Sequence, residues 1–118
     1  MWYEMDEWRD LKNMAKALAD LARLSIVYYL VQREEITVTA LTDLLGLSQP
    51  LVSWHLRKLR RANLITTRRV GRQVYCSLNK SRFELCIRYL QDLIDPTISP
   101  ESIPVGAAFV EAEIGIED

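Results

Sequence analysis

From Ser48 to Arg61 the chain reads SQPLVSWHLRKLRR. Two kinds of chemistry follow one another in this stretch. Ser48, Gln49, Ser53, Trp54 and His55 offer directional hydrogen bonds, and the Trp54 ring can also cover sugar and methyl carbons. Arg57, Lys58, Arg60 and Arg61 come next with no acid among them, and their chemistry is the neutralisation of anions. A helix that enters the major groove of a DNA duplex reaches base edges with its N-terminal residues. Cations further along the helix neutralise phosphates, which adds affinity but little sequence information. On this reading Ser48, Gln49, Ser53, Trp54 and His55 are base contacts, and Arg57, Lys58 and Arg61 are phosphate contacts.

The charge pattern points the same way. Between Leu44 and Phe83 lie nine Lys or Arg and no Asp or Glu, while the rest of the chain holds six cations and all sixteen acids. The formal net charge of −1 therefore hides a basic window set in an acidic body. Such segregation is the electrostatic footprint of a polyanion partner.

Other chemistries find little support. His55 is the single histidine, and Cys76 and Cys86 have neither zinc-ligand spacing nor the makings of a disulfide framework. A pair of small core residues is the expected role for these cysteines, with a thiol redox switch as the alternative. Without a glycine-rich phosphate loop or a nucleophile–base arrangement, no enzyme activity and no cofactor are expected. The N-terminus is acidic, with no apolar run of signal-peptide type, and no apolar stretch is long enough to span a bilayer. The expectation is a soluble, cytoplasmic protein with no membrane partner.

The elements that must position these residues can be read from periodicity and caps. Trp8, Leu11, Ala15 and Leu18 form a helical stripe over 6–19. Asp20 caps a second helix over 21–32, whose apolar positions are Leu21, Leu24, Val27, Tyr28 and Val31. A very short strand is expected at 36–39. Thr39 then caps a third helix that Gly46 ends as the left-handed stop residue. Ser48 caps the fourth helix, with Pro50 in its first turn and Asn63 near its end. The runs LITTRRV and RQVYCSL form a hairpin bent at Gly71. Asn79 or Ser81 caps a fifth helix with Phe83, Cys86, Ile87, Leu90 and Ile94 on one face, and Pro96 stops it. The fold class is mostly α with a small β-hairpin wing, a winged helix-turn-helix. Residues 1–95 make one DNA-binding and dimerisation domain, followed by a Pro-rich and then mixed tail, 96–118. The hairpin places Arg68 as a further phosphate contact and Arg69, Arg72 and Gln73 on the wing, where an arginine can enter a narrow minor groove.

The segments KALADLARLSIVYYL and LTDLLGLSQPLVSWHLRKLRRANLITTRRVGRQVYCSL resemble the ArsR/SmtB-type bacterial transcriptional repressors, and the similarity spans about 8–95. The resemblance implies a homodimer built through the first and last helices, here through Trp8, Leu11, Phe83, Ile87, Leu90 and Ile94, with the aromatic Trp2 and Tyr3 helping to pack the first helix. It also implies an operator in double-stranded DNA that is released when an inducer binds. The chain departs from that family where it senses metals. The third-helix thiol motif lines up with EITVTAL, so both cysteine positions are threonines, Thr37 and Thr39, which do not replace thiolate toward soft ions. The metal site of the last helix lines up with Asn79, Ser81, Asp92 and Asp95, a poor transition-metal set. No metal site is expected, and the inducer, a small molecule or a redox signal, stays unidentified. The alternatives from other classes are a regulator responding through Cys76 and Cys86, or a winged-helix module that contacts only proteins.

Overall fold

The computed structural model describes the backbone of residues 2–95 and 97, and the side chains of residues 6–95 and 97. The tail 96–118, apart from Thr97, and the side chains of Trp2 and Tyr3 lie outside the described residues. The order of elements is α1 (Trp2–Leu18), α2 (Leu21–Gln32), β1 (Ile36–Thr37), α3 (Val38–Leu45), α4 (Gln49–Arg61), β2 (Ile65–Val70), β3 (Gln73–Leu78) and α5 (Lys80–Leu93). The strands form one antiparallel sheet in the order β1-β3-β2.

Local chemistry sets the boundaries. Asp20 accepts a hydrogen bond from the Arg23 amide at 3.2 Å, which starts α2 and holds the Asp20 carboxyl below its ordinary range. Thr37, rather than Thr39, caps α3: its Oγ1 accepts from the Ala40 amide at 3.1 Å. The expected strand 36–39 is cut to two residues because pairing with β3 ends at Thr37↔Tyr75, which frees Val38 and Thr39 to enter the helix. Gly46 has φ +66° and donates its amide to the Thr42 carbonyl at 3.0 Å, so the turn into α4 needs a residue at ease in the left-handed region.

Helix α4 begins as its sequence requires, with Ser48 Oγ accepting from the Leu51 amide and Pro50 in the first turn. It ends in a Schellman motif. The Asn63 amide donates to the Arg60 carbonyl and the Leu64 amide to the Leu59 carbonyl, with Asn63 at φ +61°. Asn79, at the start of α5, donates its side-chain amide to the Asn63 carbonyl at 3.0 Å and so ties that turn to the last helix.

The core is shared by every helix and the sheet. Met14, Ile26, Leu30, Leu41, Val52, Leu59, Leu64, Ile65 and Cys76 are fully buried, each apolar side chain contributing about 1.5–3 kcal/mol. Two faces differ from the periodicity reading. On α1 the inward residues are Leu11, Met14 and Ala17, and Ala15 is exposed. On α2 the inward residues are Ile26 and Leu30, whereas Leu21, Leu24, Tyr28 and Val31 lie outward, Leu21 at 83% exposure. Helix α2 is apolar almost all round, so periodicity alone does not select a face. The anchor that does is polar: the Asp20 cap and the Arg23 side chain, which donates to the Ala17 carbonyl, turn Ile26 and Leu30 inward.

Candidate nucleic-acid interface

Successive residues of an α-helix turn by 100°, so α4 divides cleanly. Val52, His55, Leu56 and Leu59 are buried, while Gln49, Trp54, Arg57, Arg60 and Arg61 are exposed. Ser53 and Lys58 are half-buried at the margins of the outward face.

The hairpin opposes this face. Its register pairs Thr67 with Cys76 and Arg69 with Val74, and the two-fold alternation of a strand puts these four residues on one side. Gly71 and Arg72 make the two-residue turn, with Gly71 at φ +60° as such a turn demands. Between helix and hairpin lies a cleft of about 320 Å³. Gln49, Ser53, Arg57 and Arg60 line it from α4, Thr67, Arg69, Arg72 and Gln73 from the hairpin, and Val38 and Thr39 from α3. Four arginines and no acid line this cleft, and none of the four forms an ion pair among the described residues. Arg60 is close to Thr67 Oγ1, at 3.5 Å. The sequence marks Arg60 as a cation but gives no reason to set it against the wing, because that placement depends on the fold.

Trp54, Lys58 and Arg61 border a second, shallower concavity toward α1, together with Asn13, Lys16 and Arg23. The Lys58 ammonium lies 5.0 Å and the Arg23 guanidinium 5.8 Å from the Trp54 ring centre, so the indole is held between two cations. Ser48 is at the start of the same outward face, but its hydroxyl is already engaged in capping α4.

Two expected contacts are placed elsewhere. His55 is 5% exposed and cannot present its ring to a base. It lies on the α4 face that packs against the start of α2, where Arg23 Nη1 donates to its Nδ1 at 3.1 Å and Asp20 Oδ1 stands 3.9 Å away. With Nδ1 as acceptor, a neutral ring carries its proton on Nε2. His55→Ala is therefore expected to lower stability by roughly 1–3 kcal/mol through an unpartnered Arg23, while the affinity of the folded protein for DNA changes less than about twofold. Thermal unfolding and DNA titration of the same preparation check this. A tenfold loss of affinity with unchanged melting would show that the ring reaches DNA.

Arg68 is the second correction. It lies on the opposite side of β2 from Thr67 and Arg69. Its guanidinium makes two hydrogen bonds to the Glu35 carboxylate, at 2.6 and 2.8 Å, and stacks 4.6 Å from the Tyr75 ring centre. The guanidinium holds the Glu35 carboxyl below its ordinary range. Arg68 braces the hairpin against the loop before β1 instead of facing the cleft.

The residues expected at a subunit seam also divide. Leu11 is buried within its own protomer, and Trp8 and Phe83 are half-buried against the same core. Ile87, Leu90 and Ile94 are exposed on α5, at 53%, 47% and 80%. Helix α5 is held on α1 by the Arg82–Asp10 ion pair at 2.6 Å.

Both thiols are buried. Desolvation pushes the Cys76 thiol up to about 11 and raises that of Cys86, which suppresses the reactive thiolate. The positions aligned with the metal sites have structural partners instead: Thr37 caps α3, Asn79 holds the α4 turn, Ser81 donates to Asn79, and Asp95 accepts from Thr97. Among the described residues no helix is long and apolar enough to cross a membrane.

Comparison with known proteins agrees with this geometry. The chain is 42% identical over 71 residues to the arsenical resistance operon repressor of Bacillus subtilis (strain 168), covering 60% of this chain and 68% of that one. It is 39% identical over 90 residues to the nodulation protein NolR of Rhizobium meliloti, covering 75% and 73%. Among solved structures, NolR from Sinorhizobium fredii superposes with a TM-score of 0.60 at 34% identity, covering 75% of this chain and 88% of that one. The family model of the bacterial regulatory protein, arsR family, matches residues 20–67, from the Asp20 cap to the middle of β2. With its helix-turn-helix, wing and arginine cleft in the same order as these relatives, the chain belongs to the arsR family of bacterial regulatory proteins.

Proposed function

We propose that this protein is a homodimeric repressor that binds a specific double-stranded DNA operator through α4 and the hairpin, and that a small-molecule or redox signal releases it. As an arsR-family member it is a DNA-binding transcription regulator rather than an enzyme. The observation that carries the finer reading is the acid-free cleft, where Gln49 and Ser53 stand beside Arg57, Arg60, Arg69 and Arg72. A groove-inserted helix would bring the two short polar side chains to base edges and leave the arginines on the flanking phosphates. Metal release is not part of the proposal, because the aligned ligand positions are threonine, asparagine, serine and aspartate. The subunit seam would use the exposed Ile87, Leu90 and Ile94 of α5.

Selection of bound duplexes from a random pool, followed by titration on the selected and a scrambled sequence, tests this. Gln49→Ala or Ser53→Ala should lose roughly 1–3 kcal/mol on the selected duplex for a lost base contact, with little change on the scrambled one. Equal losses on both would remove these residues from base readout. Failure to enrich any sequence would remove the specific-operator reading altogether.

A further inference from the structure

We propose that the acidic C-terminal segment of this chain, residues 98–118, seats in the arginine cleft between α4 and the hairpin and competes there with DNA. The proposal rests on the reading of that cleft as the DNA contact surface. Its first ground is charge complementarity. Residues 96–118 carry Glu101, Glu111, Glu113, Glu117 and Asp118 and no Lys, Arg or His, and all fifteen Lys and Arg of the protein precede them. The folded part is thus net positive, and the segment supplies the acids that bring the whole chain to −1.

The second ground is the state of the cleft. Arg68, which points away from it, is paired with Glu35, whereas Arg57, Arg60, Arg69 and Arg72, which line it, have no ion pair among the described residues. The third is reach. The folded body is 50 Å in its longest dimension. A segment following Asp95 extends to at most ~75 Å at about 3.3 Å per residue, enough to meet the cleft from the end of α5. A tethered segment acts at an effective concentration on the order of 1 mM. With a weak intrinsic affinity of about 0.1–1 mM, it would lower the apparent DNA affinity roughly two- to tenfold. The interaction is between exposed charges, so salt would erase it.

The test compares the unaltered chain with a full-length variant carrying Glu101→Gln, Glu111→Gln, Glu113→Gln, Glu117→Gln and Asp118→Asn. At about 50 mM salt the variant should bind duplex DNA two- to tenfold more tightly, and the difference should vanish near about 500 mM. A gain of less than twofold at low salt overturns the proposal. A second reading needs no DNA. Arginine side-chain and backbone NMR signals of Arg57, Arg60, Arg69, Arg72 and Thr67 should differ between the two free proteins. Differences that are absent, or confined to other surfaces, overturn the seating in the cleft. If neither protein binds any duplex, the DNA reading fails, and the NMR comparison still decides where the segment sits.

Discussion

Replacing Arg57 and Arg60 together by alanine is expected to weaken binding to the selected operator and to a scrambled duplex alike, by a hundredfold or more at low salt. Both side chains leave the outward face of α4 on the side of the hairpin, and they share the cleft with Arg69 and Arg72. A hydrogen bond to a charged group contributes about 1.5–3 kcal/mol, so two lost phosphate contacts amount to a factor of roughly 10²–10⁴. Each lost contact also lowers the slope of log affinity against log salt by about 0.9. The fold should survive, because neither arginine belongs to the buried face of Val52, Leu56 and Leu59. Thermal unfolding within a few degrees of the parent, together with a salt series on both duplexes, checks the result. If the double variant lost only operator binding and kept its salt slope, these arginines would be reading bases and the placement of α4 in the groove would need to be turned.

Leu90→Glu is expected to convert the protein from dimer to monomer at micromolar concentration. Ile87, Leu90 and Ile94 fall within one 60° sector of α5 at 100° per residue, and all three are exposed in the single protomer. A two-fold seam meets itself, so one substitution buries two carboxylates without partners. An unpaired buried charge costs several kcal/mol, which raises the dissociation constant by a factor on the order of 10³ or more. The protomer should stay folded, since α5 keeps Cys86 in the core and the Arg82–Asp10 pair on α1. Operator affinity should fall with the dimer, because two half-sites joined through one protein bind far more tightly than either alone. Light scattering with size separation measures the mass. A parent protein that is a uniform monomer at micromolar concentration, or a variant that stays dimeric, would place the seam elsewhere.

The legible parts of the sequence are those whose causes are local. Ser48, Pro50 and Asn63 mark α4 because capping bonds and backbone preferences act within a few residues, and Gly46 and Gly71 mark turns because their positive φ values suit few other residues. The cationic outward face of α4 follows from spacing alone. The wing and its arginines were also readable, because strand alternation and a two-residue turn are short-range facts.

What the tertiary structure decided depends on partners far along the chain. His55 sits among basic residues in sequence, yet it is buried because Arg23 and Asp20, more than thirty residues earlier, form its polar lining. Arg68 looks like its neighbour Arg69, but a one-residue step in a strand turns it to the other face, where Glu35 is waiting 33 residues away. The inward face of α2 could not be chosen from a helix that is apolar on nearly every side; packing on α3, α4 and the sheet chose Ile26 and Leu30. Leu11 shows the same limit, since an apolar stripe does not say whether its own protomer or a second copy covers it. The sequence by itself determined the order of elements and the chemistry of the basic helix, because hydrogen-bond caps and helical periodicity are properties of neighbouring residues. Only the tertiary structure decided which cations converge on one cleft and which are spent holding the fold, because that depends on charges and apolar faces brought together across long stretches of chain.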